Sequence, residues 1–412
     1  MAEDTYLQKM FADRIGGENF GKDTKVYKFE RIKRAKAAAK ENNPNSELID
    51  MGIGEPDQPA FEGVVNTLAE EAGKPENRTY ADNGIPEFYD AVSDYMQDLY
   101  GVSIDPETEV CHSIGSKIAM VLLPACFINP GDISIMTVPG YPVLGTWTKH
   151  FGGELVNLPL KKENRFLPEL ESLSSEQLER AKLLYLNYPN NPTGASASAE
   201  FFDKAIAFAQ RNNLLIVSDA AYAPLTFDGE PQSILARPGG KDVAVELHSM
   251  SKGFNMTGWR LGWVCGNKDA VKAYGAVKDN ADSGQFRAIQ KASIWALKHH
   301  RELTPGIVEK YQRRLKALVD VLREVGFDAH LPGGSFYLYV QIPKGLRNGR
   351  RFENAEDFCE WMITEKLIST VPWDDAGHFV RFSATFPAET REDEKRVVNE
   401  IKNRLVDADF EF

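Results

Sequence analysis

Short apolar runs that empty, one after another, into polar turns constrain this chain more than any other feature. Asp132 to Val138 runs into Pro139-Gly140-Tyr141-Pro142, and Lys182 to Asn187 into Tyr188-Pro189-Asn190-Asn191-Pro192-Thr193-Gly194. Leu214 to Val217 ends in Asp219-Ala220-Ala221-Tyr222, and Val243 to Leu247 in Ser249-Met250-Ser251-Lys252. Runs this short, rich in β-branched residues and closed by turn formers, read as buried strands. A helical spacing of apolar residues separates two of them, from Phe201 to Ala209. Strand alternating with helix predicts an α/β fold with an open, mainly parallel sheet. Such sheets bind ligands at the carboxyl ends of their strands, where Asn191, Asp219, Tyr222, Ser249 and Lys252 all fall.

At 412 residues the chain has room for two or three domains of about 150 residues each. We expect an amino-terminal arm and basic helix over 1–45, a large domain over 46–300 and a smaller α+β domain over 301–412. The last holds strands near Ser335 to Gln341 and Val380 to Ala384, with helices at Ala355 to Lys366 and Glu392 to Val406. A net charge of −12 offers no broad basic field, which disfavours nucleic acid as a partner. The longest apolar run, Ile118 to Ile128, is broken by Pro124 and is too short to span a membrane. The opening MAEDTYLQKM is acidic and lacks an apolar segment, and the four cysteines are scattered, so a reducing cytoplasm is expected. His299 and His300 end a basic helix and read as solvated rather than metal-binding.

The chemistry centres on Glu246 to Asn267, ELHSMSKGFNMTGWRLGWVCGN. Lys252 sits on a turn between two strands, near Ser249, Ser251 and Arg260. An amine held there is either a nucleophile in a phosphate-binding pocket or an ordinary exposed loop lysine. Gly115-Ser116-Lys117 before an apolar helix reads as an anion site, or as a routine N-cap by Ser113 or Ser116. Gly54-Glu55-Pro56-Asp57 is a turn that brings backbone N–H groups to a ligand, or a plain connector. Tyr141 stacks on a flat ring or simply packs. Neither a His-Glu-x-x-His pair nor a GxxxxGK[ST] loop is present. The Ser249-x-x-Lys252 spacing of serine β-lactamases lacks its companion motifs. A lysine that carries pyridoxal phosphate accounts for more of the set, because that cofactor needs an amine, an acid for its ring nitrogen, hydroxyl partners and a phosphate cradle.

The order Gly-Ser-Lys, Tyr-Pro, Asn-Pro-Thr-Gly, Asp-x-x-Tyr, Ser-x-Ser-Lys, Arg260 and a late Arg-Phe-Ser resembles the class I and II aminotransferases of pyridoxal-phosphate fold type I. The resemblance covers almost the entire chain. It implies a large domain whose mainly parallel sheet, of the seven-stranded type, is sandwiched by helices, with a smaller α+β domain beside it. It also implies that Lys252 carries the cofactor and is the catalytic base. Asp219 would pair with the pyridine nitrogen, and Asn191 and Tyr222 with the ring hydroxyl. Ser116, Lys117, Ser249 and Arg260 would surround the phosphate, and Tyr141 would stack on the ring. Arg381 would clamp the substrate α-carboxylate, with Gly54, Lys117 and Asn191 also at the substrate. Tyr80 would reach the phosphate of a neighbouring subunit, which implies a homodimer with shared sites.

YKFERIKRAK, IDMGIGEPD and GYPVLGTW look most like the LL-diaminopimelate aminotransferases. That resemblance implies amino transfer between LL-2,6-diaminopimelate and 2-oxoglutarate, with aspartate, alanine or aromatic amino acids as the alternative donors. It also implies that Tyr27 touches the substrate and that Asp82, in the loop after Tyr80, reads the distal ammonium.

Overall fold

The computed structural model describes residues 5–22 and 28–412, so Tyr27 lies outside the described residues. After a two-residue strand, β1 (Ile49–Asp50), come the strands of the central sheet. These are β2 (Val110–Ser113), β3 (Ile133–Val138), β4 (Glu154–Pro159), β5 (Ala181–Asn187), β6 (Leu215–Asp219), β7 (Ala244–Ser249) and β8 (Gly262–Gly266). Their spatial order is β2-β8-β7-β6-β5-β3-β4. The pairs from β7 through β4 are parallel, and β8 runs antiparallel to both its neighbours. This is the expected helix-flanked, mainly parallel seven-stranded sheet.

The strands read as continuous apolar runs because both faces are covered. Along β5, Leu184 and Leu186 join a core on one side, while Leu183 and Tyr185 join a separate core on the other. Truncating any one of these leucines to Ala costs about 2–5 kcal/mol. The first core is closed by the helix Pro86–Tyr100, whose Phe88, Val92, Tyr95 and Met96 are buried. Trp263 of β8 lies beneath it, stacked on His248 at 4.9 Å and edge-on to Tyr95. His300 also joins this layer, with its ring 4.9 Å from that of Tyr95 and its Nδ1 bonded to the Leu297 carbonyl at 2.8 Å. The expectation of a solvated His300 is therefore corrected, since the chain folds that helix end back onto Tyr95 and buries the imidazole.

A second core gathers β9 (Tyr337–Gln341), β10 (Gly345–Leu346), β11 (Ile368–Ser369), β13 (Phe379–Ser383) and β14 (Phe410–Glu411), while β12 (Val371–Trp373) packs in a small separate cluster with Tyr339. Strands β12, β13 and β9 form an antiparallel sheet, covered by the helices Ala355–Lys366 and Arg391–Leu405. The run from Leu48 to Ile53 forms a strand only at Ile49–Asp50, paired in parallel with β11. Its continuation is stitched to this unit: Ser383 N–H donates to the Met51 carbonyl at 2.8 Å, and the Thr385 hydroxyl to the Ile53 carbonyl at 3.0 Å.

Several elements escaped the sequence reading, among them β4, whose outer positions are exposed, the short strands β2, β10, β11, β12 and β14, and the helices Glu62–Ala72, Val143–His150 and Lys268–Lys278. An edge strand with Glu154, Asn157 and Pro159 in it lacks the apolar run that marked the central strands.

Buried charges tie the turn before the first core to the second. The Asp57 carboxylate accepts from Lys310 Nζ at 2.9 Å, Tyr311 Oη at 3.0 Å and Arg314 Nη1 at 3.1 Å. Arg314, with a fully buried side chain, also donates through Nε to Glu394 at 2.8 Å. Burial alone would raise the Asp57 pKa, but the bond from Lys310 and the charges of Arg314 and Lys310 bring it below its ordinary value. A carboxylate depressed in the folded state stabilises the fold above its unfolded pKa and loses that contribution on acidification. Arg314→Met strands Asp57 and Glu394 without their shared cation and is expected to cost about 3–5 kcal/mol in urea unfolding at pH 7.5. The deficit should shrink as pH falls and the two carboxylates become protonated.

Candidate active site

One cavity of about 490 Å³ opens where the parallel strands end. Each contributor arrives by a different route. Asp219 is the last residue of β6, Ser249 ends β7, and Asn191 lies in the turn after β5. Because β8 is antiparallel, its amino end sits beside those carboxyl ends, which brings Arg260 into the same cavity. Arg260 adopts φ +57°, a left-handed backbone that costs a non-glycine residue about 1 kcal/mol or more and recurs at functional sites.

Two glycines make close approaches here, the first to the guanidinium and the second to the backbone of β7 and the helix start. At Gly115 (φ +72°) a Cβ would stand 2.4 Å from Arg260 Nη2. At Gly262 it would meet the His248 carbonyl at 2.3 Å and the Ser116 amide at 3.2 Å. Gly115 is the N-cap of the helix Ser116–Phe127, so first-turn N–H groups, the Ser116 and Ser249 hydroxyls and Arg260 converge on one volume. Arg260 is held by the Thr257 carbonyl at 2.8 Å and Ser251 Oγ at 3.4 Å. Helix N-terminus, hydroxyls and guanidinium together make an anion cradle.

The same cavity holds two ionisable groups, Lys252 and Asp219. Lys252 is half-buried, and its Nζ donates to the Gly54 carbonyl at 2.6 Å. Burial pushes its pKa down to about 8; the charges of Arg260 and Arg381 act in the same direction, against Glu55 and Asp219. A lysine depressed this far offers a neutral, nucleophilic amine near physiological pH. Asp219 is buried, and burial pushes its carboxyl up to about 6, against bonds from the Tyr185 hydroxyl at 2.9 Å and the Ala221 N–H at 3.2 Å. A carboxylate this desolvated favours a cationic partner.

Arg381, on β13, is buried with its guanidinium carbon 4.1 Å from the Tyr337 ring centroid. Its Nη1 donates to Asn191 Oδ1 at 2.8 Å and its Nη2 to the Gly52 carbonyl at 3.2 Å, while its buried Nε has no partner among the described residues. Tyr222 Oη lies 3.1 Å from Tyr337 Oη.

Gly54, Ser116, Lys117, Tyr141, Asn191, Asp219, Tyr222, Ser249, Lys252, Arg260 and Arg381 all line this cavity. Tyr80 and Asp82 do not. Tyr80 is 78% exposed, and the Asp82 side chain faces solvent. Their loop is nonetheless pinned from behind. Arg287 Nη2 donates to the Tyr80 carbonyl at 2.9 Å, and the fully buried Lys278 donates to the Asp82 carbonyl at 3.2 Å and to Asp282 Oδ1 at 2.6 Å.

Glu55, Asn187, Ser251, Thr257 and Tyr337 also line the cavity and escaped the sequence reading as site residues. Asn187 carried a signal as the last residue of an apolar run, and Ser251 as part of Ser-x-Ser-Lys. Tyr337 carried none, because only the docking of β9 brings it there.

The family model described as aminotransferase class I and II matches residues 46–401. The chain belongs to the class I and II aminotransferases. This aminotransferase is 54% identical to the LL-diaminopimelate aminotransferase of Methanococcus maripaludis, over 99% of this chain and 100% of that one. It is also 54% identical to the LL-diaminopimelate aminotransferase of Methanocaldococcus jannaschii, with the same coverage of both chains. Among solved structures, substrate-bound BacF from Bacillus subtilis superposes with a TM-score of 0.86 at 31% identity, covering 98% of each chain.

The raised pKa of Asp219 carries a stability consequence. Its carboxylate form is penalised in the fold, so the penalty appears above the unfolded value of 3.8 and is complete above about 6. In the cofactor-free aminotransferase, Asp219→Asn is expected to stabilise by about 2–3 kcal/mol in urea unfolding at pH 7.5. The gain should diminish as pH falls through 6 towards 4, and turnover should be lost.

Proposed function

We propose that this chain is a pyridoxal-phosphate-dependent aminotransferase that exchanges an amino group between LL-2,6-diaminopimelate and 2-oxoglutarate. In the biosynthetic direction it aminates tetrahydrodipicolinate with glutamate, on the route to lysine and a cell-wall precursor. The observation that carries the chemistry is that Lys252, Asp219 and Arg381 face one cavity with an anion cradle at its end. Full-length identity of 54% to two LL-diaminopimelate aminotransferases carries the substrate over the alternative donors.

The residues present fit pyridoxal phosphate. The cradle suits a phosphate, Asp219 suits a ring cation, and the unpartnered Arg381 Nε suits an incoming carboxylate. The cofactor supplies an aldehyde that condenses with amines and a ring that accepts the electrons left when Cα loses its proton. Ser116, Ser249, Arg260 and the first N–H groups of the helix at Ser116 hold its phosphate. Lys117, close to the same helix start, adds positive charge. Asp219 keeps the ring nitrogen protonated, and that cation lowers the carboxyl pKa that burial raised. Asn191 and Tyr222 would donate to the ring hydroxyl, and Tyr141 would cover a ring face.

Lys252 is the covalent tether and the base. Its neutral Nζ would take the proton from the substrate Cα and hand it on within the same half of the exchange, which would leave the amine neutral to act as base again in the second half. Its depressed pKa keeps a neutral fraction available for both roles. Arg381 turns the α-carboxylate so that the Cα proton faces Lys252, using two parallel charge-assisted bonds. Gly54 must lack a side chain, since a Cβ there would stand 2.8 Å from Tyr337 Oη.

We also infer a homodimer. The outward-facing Tyr80 sits on a pinned loop, which supports its presentation to the phosphate end of a second copy's site. No helix among the described residues is long and apolar enough to cross a membrane, and the four cysteines are free, which supports work in a reducing cytoplasm.

Lys252→Ala is expected to abolish multiple-turnover transamination while pyridoxal phosphate still binds; retained turnover would refute the assignment of the base. Arg381→Lys cannot form the paired bond and should raise KM for amino acid and oxo acid alike by roughly 10- to 100-fold, the value of one charge-assisted bond. Gly115→Ala should weaken pyridoxal phosphate binding by displacing Arg260, read as a lower occupancy after dialysis.

A further inference from the structure

Strand β5 reads AKLLYLN, an apolar run with a phenol in its interior. Tyr185 is fully buried and does not line the cavity, yet its hydroxyl donates to Asp219 Oδ2 at 2.9 Å. Asp219 Oδ1 accepts from the Ala221 N–H at 3.2 Å, so each carboxylate oxygen carries one donor and has room for another. The backbone of the acid is fixed from the same strand. Asn187, the register partner of Asp219, donates through Nδ2 to the Asp219 carbonyl at 2.9 Å, and its Oδ1 accepts from the Asn191 N–H at 2.8 Å. Tyr185 and Asn187, two residues apart on one strand face, thus hold the side chain and the main chain of Asp219 respectively.

Packing does not call for the hydroxyl. The Tyr185 ring joins the apolar core on one side of β5, where the ring of a phenylalanine would fill the same space. A hydroxyl in such a core is unfavourable unless bonded, and its partner here is the carboxylate that the cavity needs ionised. Burial holds the phenol far above its ordinary pKa, so Tyr185 stays a neutral donor and takes no charge from Asp219. A bond donated to a carboxylate favours its ionised form over its protonated form. Beside a ring nitrogen, that preference decides where a shared proton rests: the weaker a base Asp219 is, the more the proton stays on the ring.

We propose that Tyr185 is a positioning residue for the exchange, holding Asp219 ionised and aimed so that the proton shared with the ring nitrogen stays on the ring. The assignment rests on the pyridoxal-phosphate reading of Asp219 and extends it one bond outward. Other groups face the same carboxylate. His248 on β7 and Lys252 beyond it act on Asp219 in the same direction as Tyr185, and the phenols of Tyr141 and Tyr222 stand near the pair. Among the described residues, the Tyr185 hydroxyl is the one side-chain donor to Asp219, which makes its removal a clean perturbation.

The test combines Tyr185→Phe with Asp219→Asn, in the holoenzyme and in the cofactor-free full chain. In the holoenzyme, Tyr185→Phe should lower kcat about tenfold with KM little changed, and the isotope effect with Cα-deuterated glutamate should rise. In urea unfolding of the cofactor-free chain, the carboxyl is protonated in both folded proteins at pH 4. The difference between them grows as pH rises through about 6, where the wild-type Asp219 ionises, and is largest at pH 8. The effect of Tyr185→Phe on the unfolding constant should therefore be about tenfold larger at pH 8 than at pH 4, and equal at the two pH values in the Asp219→Asn background. An effect of one size at both pH values, or a pH dependence that persists in the Asp219→Asn background, makes Tyr185 a packing residue and overturns the assignment. An unchanged kcat overturns it as well. Full turnover by Asp219→Asn alone overturns the functional reading of Asp219, and this assignment with it.

Discussion

The structure depends on keeping a buried carboxylate and a part-buried amine in one cavity before either has its working partner. Water would favour charge on both Lys252 and Asp219; burial opposes it, driving the lysine down to about 8 and the aspartate up to about 6. The fold therefore holds a destabilised carboxylate in readiness for a cation. This is a cost in folding free energy that a cationic partner would offset.

Sheet topology meets that demand. Parallel strands place Asp219 and Ser249 side by side, but a purely parallel sheet would send the next strand's amino end to the opposite edge. Reversing β8 returns the chain to the same edge within a short turn, so Lys252 and Arg260 lie on opposite sides of one bend. The close approach then forbids side chains at Gly115 and Gly262. The left-handed backbone of Arg260 is the conformational cost of that bend.

Much of this was legible in the residues of three strands: β5, β6 and β7 announced themselves by apolar runs and end in Asn187, Asp219 and Ser249, which line the cavity. What stayed hidden is non-local. Tyr337 reaches Tyr222 only because β9 docks across 115 residues of chain, and His300 is buried by a fold-back onto Tyr95 that no periodicity records. β4 was invisible for the opposite reason: as an edge strand with exposed positions, it needs little apolar sequence. Asp82, expected to read the distal ammonium, is exposed on the Tyr80 loop, with its backbone held at φ +42° and by the Lys278 bond.

Strand register in the small sheet decides which of its residues reach the cavities. On β13, Arg381 borders two adjoining cavities; its cross-strand partner on β12 is Val371, and two residues further along β12 Trp373 lines the second cavity alone. A shift of one residue in that pairing would turn the Arg381 guanidinium to the other face of the sheet, away from Tyr141 and Asn191, which reach the same wall from the large sheet.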